Sequence, residues 1–175
     1  MEVHMKYKLR QPVLSDKQEF LAFISEWGDE KLIIPAAVQL KGRSYEQFIS
    51  ELPLREKGLI DMDKLVPDNT YILVDKKNHI YGALNFRHTL NDYLMQFGGH
   101  VGYGIRPSER GKGFGNMILK EGLEIAKKFG LDKVLITCDE QNTPSARVIQ
   151  GNGGKFENKV YKNDGWIHRY WINLK

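Results

Sequence analysis

The stretch Arg110-Gly111-Lys112-Gly113-Phe114-Gly115 says most about the fold of this 175-residue chain. It lies between a strand-like run, His100 to Ile105, and a helix-like run that begins near Asn116. Three glycines at alternate positions allow a tight turn and leave the backbone N–H groups uncovered by side chains. At the start of a helix such N–H groups have no helical acceptor and lie at the positive end of the helix dipole. Together with the cations Arg110 and Lys112 they predict a phosphate-binding loop.

Three phosphate-binding motifs compete for this stretch. A Walker loop requires Gly-Lys followed by Ser or Thr, which the chain lacks. The dinucleotide motif G-x-G-x-x-G requires a glycine where Asn116 stands. The third motif, R/Q-x-x-G-x-G/A, is matched by Arg110, Gly113 and Gly115, and it resembles the pyrophosphate loop of the GNAT acyltransferases. A plain glycine-rich turn with a basic surface is the alternative that needs no ligand.

A second segment resembles another signature of the same family. Lys133 to Cys138 is an apolar, β-branched run and predicts a buried strand. After it, Asn142 or Thr143 suits the cap of a short helix, with Pro144 in the first turn and Ser145 three residues beyond Asn142. From the residues alone, Asn142 is only a cap. The resemblance implies that its side chain also binds the pantetheine arm of coenzyme A.

Hydrophobic periodicity and turn signals predict the element order β-α-α-β-β-β-α-β-α-β-β. Antiparallel strands come first, then one strand–helix–strand crossover, and then a closing hairpin. This order predicts a mixed sheet with helices on both faces. The predicted strands cover residues 7–10, 71–74, 80–87, 99–105, 133–138, 155–161 and 166–172, and the helices roughly 15–27, 44–49, 115–129 and 143–150. Residues 90–97 are predicted to form a loop or a helical turn.

The resemblance extends over most of the chain and implies one GNAT domain, residues 1–175. The fold class expected is α/β (α+β), with a mixed, mostly antiparallel sheet. The activity implied is transfer of an acetyl group from acetyl-CoA to an amine by direct attack, with a backbone N–H near Tyr103 to Ile105 at the thioester oxygen. The residues expected to bind acetyl-CoA are Ile105, Arg110, Gly111, Lys112, Gly113, Phe114, Gly115, Asn142 and Ser145.

The chain departs from the family pattern at two positions. Many members carry a Tyr seven residues after the Asn, and this Tyr protonates the departing thiolate, but Ile149 stands there. Many members also end this helix with Gly-Phe, where this chain has Asn152-Gly153-Gly154. Either another group supplies the proton or the thiolate leaves unaided. A thiol pKa of about 8.5 makes the second route tolerable near neutral pH.

Candidate catalytic residues lie on the strand before the glycine-rich loop. His100 is the candidate base, because the ordinary pKa of histidine is near 6.5. Strand alternation places it on the face opposite Tyr103 and Ile105, so a bulge would be needed to turn it round. Tyr103 is the candidate acid. Tyr161 and Tyr170 are further candidates, although aromatic residues on strands usually serve packing.

Composition narrows the class of protein. The net charge is +4 and the pI about 9.0, but the basic residues are scattered and no basic run has interleaved aromatics. This argues against a nucleic-acid partner. The single cysteine, Cys138, excludes an intramolecular disulfide and a Cys-based metal site. The first residues do not resemble a signal peptide, and no apolar run approaches the ~20 residues of a membrane span. A cytoplasmic protein without metal or membrane partner is expected.

Two functions from other classes stay open at this point. A non-catalytic GNAT module that binds acyl-CoA as a sensor is compatible with Ile149 in place of Tyr. A basic nucleic-acid-binding domain would use the glycine-rich loop on backbone phosphates, with a salt-dependent affinity that CoA does not change. The acceptor is open between a small-molecule amine and a protein or peptide amine. The closing hairpin could support a homodimer.

Overall fold

The computed structural model of the chain describes residues 6–30, 33–61 and 63–175, and its elements follow the predicted order. The strands are β1 Tyr7–Arg10, β2 Asp68–Asp75, β3 Ile80–Arg87, β4 Val101–Ile105, β5 Lys133–Asp139, β6 Lys155–Lys162 and β7 Gly165–Asn173. The α-helices are α1 Lys17–Ser25, α2 Tyr45–Glu56, α3 Phe114–Phe129 and α4 Thr143–Gly151. Short helical turns lie at Leu14–Asp16, Ala36–Val38, Leu94–Gly98 and Pro107–Glu109. Within the described residues, no helix is long and apolar enough to cross a membrane.

The strands form two antiparallel sheets that meet at one seam. The first sheet has the order β1-β2-β3-β4, and the second has the order β5-β7-β6. Just before β4, the N–H of His100 donates to the carbonyl of Leu135 on β5 at 2.7 Å. In the part of the chain that the structure describes, this is the one backbone hydrogen bond between the two sheets at β4 and β5. The predicted fold class is confirmed, and the expected mostly antiparallel sheet is divided between β4 and β5.

Helices cover both faces of the first sheet, as predicted. Alternation along β2 places Ile72 in one core cluster and its neighbour Leu73 in another. The Ile72 cluster contains Phe20 of α1 and Phe48 of α2, and the Leu73 cluster contains Ile118 of α3. Since β2 is buried on both faces, its sequence is apolar at successive positions rather than alternating.

Helix α2 begins where the sequence predicts and extends further. The Ser44 hydroxyl accepts the N–H of Gln47 at 3.1 Å, and the Gln47 side chain accepts the N–H of Ser44 at 2.9 Å, which is a reciprocal cap. The helix continues past Ile49 with Pro53 inside it. Proline removes one helical hydrogen bond, but burial of Leu52 in the core holds this part of the helix against the sheet.

Ser15 and Asp16 are residue types that favour a side-chain cap at the start of α1, but no such cap forms there. Asp16 is the N-cap residue, but its carboxylate accepts the N–H of Val13 at 2.8 Å and pairs with Arg10 at 2.7 Å. Arg10 lies on β1, so this carboxylate links the start of α1 to the edge of the first sheet. The ionic partner lies on a different element, which is why the local pattern did not indicate it.

Candidate active site

A cleft of about 560 Å³ lies where β4 ends and where α3 and α4 begin. Most residues predicted for the site line it, namely Tyr103, Ile105, Arg110, Gly111, Gly113, Phe114, Gly115, Asn142 and Ser145. His100 and Lys112 are not part of this lining. The fold therefore brings the glycine-rich loop and the Asn142 segment together, although they are far apart in the sequence.

The loop presents free backbone donors to the cleft. Gly113 is the N-cap of α3 with a φ of +89°, and no side chain caps this helix. The first helical hydrogen bond runs from the N–H of Met117 to the carbonyl of Gly113, so the preceding N–H groups have no acceptor among the described residues. A Cβ atom at Gly113 would meet nothing within 4 Å. Unpaired donors at a positive helix end with open space before them fit a pyrophosphate group.

A buried arginine holds the beginning of the loop against α1. The Arg106 Nε donates to Glu26 at 2.6 Å, and a second nitrogen of Arg106 pairs with Glu19. Glu26 also accepts the hydroxyl of Ser108 at 2.8 Å. Burial acts to raise the pKa of Glu26, but the hydrogen bonds from Ser108 and Arg106 outweigh it and lower that pKa. Glu19 on α1 and Glu26 at its C-terminal end thus fix the segment from which the glycine-rich loop departs.

Arg110 is engaged by protein groups at the mouth of the cleft. Its guanidinium pairs with the Glu30 carboxylate through contacts of 2.8 and 3.1 Å, and its Nε donates to the Ile105 carbonyl at 3.2 Å. The same guanidinium lies 4.8 Å from the centre of the Trp27 ring. Glu30 and Trp27 also line the cleft. A phosphate at this position would therefore compete with Glu30 for Arg110.

Lys112 is not part of the cleft lining. Its Nζ pairs with Glu109 at 3.0 Å, and 56% of its side chain is exposed. This hydrogen bond lowers the pKa of Glu109. Glu109 itself lines the cleft, so Lys112 neutralises a carboxylate that faces the predicted phosphate site. Its role in this structure is indirect.

The start of α4 completes the opposite wall. The Asn142 side-chain oxygen accepts the N–H of Ser145 at 3.2 Å, so the residue is the predicted cap. Its amide nitrogen donates to none of the described residues and stays available as a donor in the cleft. The Ser145 hydroxyl and the Tyr103 hydroxyl are 3.1 Å apart. Burial raises the pKa of Tyr103 to about 12, so its phenol is protonated at neutral pH.

His100 lies at the seam between the sheets rather than in the cleft. Its Nδ1 accepts the N–H of Leu135 at 2.9 Å, so the neutral ring carries its proton on Nε2. Burial, assisted by the nearby Arg87 cation, lowers the pKa of His100 to about 4. A ring whose lone pair is already occupied cannot accept a proton from an amine. The position of His100 therefore does not support its predicted role as base. Its hydrogen bonds to Leu135 fit a structural role that links the two sheets better.

Several residues of the site were not predicted from the sequence. Trp27 and Glu30 follow α1, and Ile34 lies in the next loop, yet all three line the cleft. The Ile34 carbonyl lies over β4, 2.0 Å from where a Cβ on Gly104 would be, so only glycine fits there. The pair Glu19 and Glu26, seven residues apart on one helix face, was a readable signal for an arginine partner. The contacts of Ile34 had no such signal.

This arrangement is the one expected of a coenzyme A-dependent acyltransferase. The chain belongs to the GNAT acetyltransferase family, since the family described as acetyltransferase (GNAT) domain matches residues 7–155. The predicted family and the predicted enzyme class are thereby confirmed. A comparison with curated protein sequences gives no match for the chain.

Solved structures of acetyltransferases share the fold at low sequence identity. The ribosomal-protein-S5-alanine acetyltransferase of Vibrio fischeri has 16% identity and a TM-score of 0.71, with 97% of this chain and 93% of that chain covered. The protein yncA of Salmonella typhimurium, solved with its cofactor acetyl-CoA, has 13% identity, a TM-score of 0.64 and coverages of 97% and 95%. The spermidine/spermine N-acetyltransferase SpeG of Vibrio cholerae has 18% identity, a TM-score of 0.61 and coverages of 97% and 93%.

Proposed function

We propose that this protein transfers an acetyl group from acetyl-CoA to an amine by direct attack of the amine nitrogen. The observation that carries the proposal is the uncapped N-terminus of α3, which opens into a cleft beside Arg110 and Asn142. Family membership supports acetyl transfer, and acetyl-CoA is the cofactor in the yncA structure. When bound, acetyl-CoA supplies an acetyl thioester, whose bond to sulfur is replaced by a bond to the amine nitrogen.

The loop is proposed to hold the pyrophosphate. The free N–H groups at Phe114 to Asn116 donate to it, and Gly111 and Gly113 leave room for it. Arg110 exchanges Glu30 for a phosphate oxygen. On the opposite wall, the amide nitrogen of Asn142 donates to the pantetheine arm while its oxygen keeps capping α4.

Tyr103 and Ser145 are proposed to act at the sulfur end of the cleft. Ile149 is fully buried in the core and cannot donate a proton, so the usual acid of the family is absent. A phenol of pKa about 12 is a weaker acid than a thiol of about 8.5, so Tyr103 donates a hydrogen bond to the departing thiolate without giving up its proton. A backbone N–H between Tyr103 and Ile105 is the proposed donor to the thioester oxygen.

Two measurements on the wild-type protein test this function. CoA is expected to raise the thermal midpoint, because a ligand that binds the folded state alone stabilises it by mass action. Acetyl-CoA with a panel of amines is expected to release free thiol. The absence of a thermal shift at millimolar CoA would exclude the proposal. A shift without thiol release from any amine would instead identify a binding module.

The acceptor is proposed to be a small-molecule amine. Among the structural neighbours, one is named for spermidine and spermine and another for an alanine of ribosomal protein S5. Proteins of this fold thus act on both classes of amine, and the choice for this chain depends on its own second cavity. A cytoplasmic location and a homodimer stay predictions from the sequence.

A further inference from the structure

A second cavity, of about 480 Å³, lies on the α2 side of the first sheet. Its walls come from α2, from the segment between α2 and β2, from the start of β2, from β3, and from the segments that follow α1 and precede β4. Five of its lining residues are cations, Lys41, Arg43, Arg55, Lys64 and Arg87, and three are carboxylates, Glu51, Asp61 and Asp68. The cations exceed the carboxylates by two, so the cavity is positive.

Two of the carboxylates are already neutralised within the wall. Arg43 pairs with Glu51, and the Arg55 Nε donates to Asp68 at 3.0 Å. Lys41, Lys64 and Arg87 have no carboxylate within ion-pair distance in the described ranges. One further carboxylate, Asp61, also lines the cavity and is exposed. The positive charge of the cavity therefore comes from cations that lack a carboxylate partner among the described residues.

Arg87 is the cation at the floor of the cavity. One of its terminal nitrogens donates to the carbonyls of Gly98 and Gly99 at 3.0 and 3.4 Å. Its Nε and its other terminal nitrogen donate to no residue that the structure describes. Burial lowers the pKa of Arg87 to about 10, so the guanidinium is charged at neutral pH. A fixed guanidinium with free donors is suited to a carboxylate or a phosphate.

The cavity lies directly behind the strand that carries the proposed reaction. Gly102 of β4 pairs with Asn85 of β3, and a Cβ on Gly102 would lie 2.9 Å from the Arg87 guanidinium. Gly104, which lines the cleft, is two residues further along β4, a distance of about 7 Å. The same loop contributes Ile34 to the cleft and Ala36 to the cavity. The cavity and the cleft are therefore neighbours along β4 and along this loop.

We infer that this cavity is the acceptor site and that its ligand is a small primary amine carrying a carboxylate or a phosphate, held by Arg87 and Lys64. The inference rests on the proposed acetyl transfer. The anionic group offsets part of the excess positive charge of the lining, while the amine end extends toward β4. A polyamine, which carries positive charges only, is disfavoured by the same lining.

The positive lining also bears on how the amine becomes a nucleophile. Any cation of the lining that the anionic group leaves unneutralised lowers the pKa of a nearby ammonium ion, because the charged form is the one repelled. The side-chain oxygen of Asn85 accepts no hydrogen bond from a described residue and is available to an amine N–H. The neutral amine is thus favoured without a dedicated base, which agrees with the occupied lone pair of His100. The proton is released to solvent.

Matched pairs of acceptors test the inference. The pairs are ethanolamine with O-phosphoethanolamine and β-alaninamide with β-alanine, with spermidine as the polycation. Rates of thiol release from acetyl-CoA are compared as kcat/KM per concentration of neutral amine. We expect the anionic member of at least one pair to exceed its neutral partner about tenfold, mainly through KM, which corresponds to about 1.4 kcal/mol. Spermidine is expected to fall below both members of that pair.

Variants of residues in the cavity test whether the preference for anionic acceptors arises there. Lys64→Gln and Arg87→Gln are expected to bring the ratio of anionic to neutral acceptor toward one, and Arg87→Lys is expected to keep part of it. Lys120→Gln removes an exposed charge on α3, away from the cavity, and leaves the ratio unchanged. Equal kcat/KM values within both pairs, or a preference for spermidine, would overturn the inference while leaving acetyl transfer intact.

A binding measurement separates failure of this inference from failure of the proposed function. Calorimetry with O-phosphoethanolamine, without CoA, is expected to show binding that Arg87→Gln and Lys64→Gln weaken at least fivefold. Arg110→Ala, which alters the glycine-rich loop, is expected to leave this binding unchanged. Binding that depends on Arg110 rather than Arg87 places the anion in the cleft and contradicts the inference. Anion binding through Arg87 without turnover of any amine supports the site and contradicts the enzyme.

Discussion

Gly113 is the residue on which CoA binding depends most directly. Its positive φ and the open space before it allow the backbone to approach a pyrophosphate. Gly113→Val puts a branched side chain into that space, so we expect CoA binding, measured by calorimetry, to be lost. A Val at positive φ also strains the chain by roughly 1–2 kcal/mol, which lowers the thermal midpoint without unfolding the protein.

Gly153 provides a matched control for that strain. It also has a φ of +89°, a Cβ there would also meet nothing within 4 Å, and it does not line the cleft. Gly153→Val is therefore expected to lower the thermal midpoint by a similar amount while CoA binds as in the wild type. If Gly113→Val remains folded and binds CoA as tightly as Gly153→Val does, the loop is an ordinary turn.

The substitution His100→Asn distinguishes a structural role of His100, as a link between the two sheets, from a catalytic role. The side-chain oxygen of Asn can accept the Leu135 N–H in place of Nδ1, but it cannot take up a proton near neutral pH. We expect kcat within about threefold of the wild type and an unchanged pH–rate profile. His100→Ala leaves the Leu135 N–H without a partner and is expected to lose stability. A hundredfold fall in kcat for His100→Asn with CoA affinity retained would show that the ring is the base after all.

The same substitution is expected to change how stability depends on pH. The pKa of His100 is about 4 in the folded state and about 6.5 in the unfolded state, so between these values the unfolded chain binds more protons. Stability therefore rises with pH across this window, by up to about 1 kcal/mol per unit. Urea unfolding between pH 4.5 and 7.5 is expected to show this slope in the wild type and a smaller one in His100→Asn. Equal slopes would mean that folding does not change the pKa of His100.

At the scale of elements, α1 and the residues after it contact the loop before α3, and one of these contacts competes with CoA for Arg110. Glu30, just after α1, pairs with Arg110 and faces the cleft. Glu30→Gln removes a negative charge beside a polyanionic ligand and frees Arg110, so CoA is expected to bind several-fold more tightly at low ionic strength. Screening is expected to reduce the gain in high salt. Titration calorimetry at two salt concentrations measures both effects.

Glu46→Gln is the control for that change. Glu46 is half exposed, pairs with Lys17 on the surface and lies outside the cleft, so the net charge changes equally without local effect. We expect unchanged CoA affinity in this variant. Equal gains in Glu30→Gln and Glu46→Gln would mean that the overall charge, and not the pair with Arg110, governs binding.

Elements whose signals are local were predictable, and contacts between distant segments were not. The glycine-rich loop and the Asn142 cap each lie within a few residues, so the sequence alone indicated them. The continuation of α2 through Pro53 depends on Leu52 packing against another element. Arg87 belongs to an apolar strand and faces a cavity whose other walls lie on distant segments. Its charge was visible in the sequence, but its surroundings were not.

At the scale of the whole molecule, one seam sets the geometry of the proposed site. The two sheets touch where His100 and Leu135 exchange hydrogen bonds, and the cleft lies further along β4. The acceptor cavity lies behind the same strand, beside Gly102. Since β4 has glycine at both 102 and 104, the chain can place Arg87 and Ile34 close against its backbone. A change at the seam should therefore affect stability and CoA binding together.

Gly99 is the residue that permits the close approach of the sheets. A Cβ there would lie 2.4 Å from the Leu135 carbonyl oxygen, and the φ of Gly99 is +65°. Backbone atoms on both sides cannot yield as a flexible side chain would, so Gly99→Ala must push β5 away from β4. We expect a fall in unfolding free energy of at least about 3 kcal/mol, within the range of severe core changes, together with weaker CoA binding.

Gly42→Ala supplies the comparison that isolates the seam. Gly42 has a φ of +81° and a Cβ there would meet nothing within 4 Å, so this variant carries the backbone strain alone, about 1–2 kcal/mol. Urea unfolding of both variants gives the loss of stability that exceeds the strain of a positive φ, which at Gly99 combines the contact with Leu135 and the ψ of −173°. CoA calorimetry shows whether the cleft changes with it. If both variants lose the same free energy of unfolding, the two sheets can move apart at the seam without a further energetic cost. A destabilised Gly99→Ala that binds CoA normally would mean that the cleft is set by α3 and α4 alone.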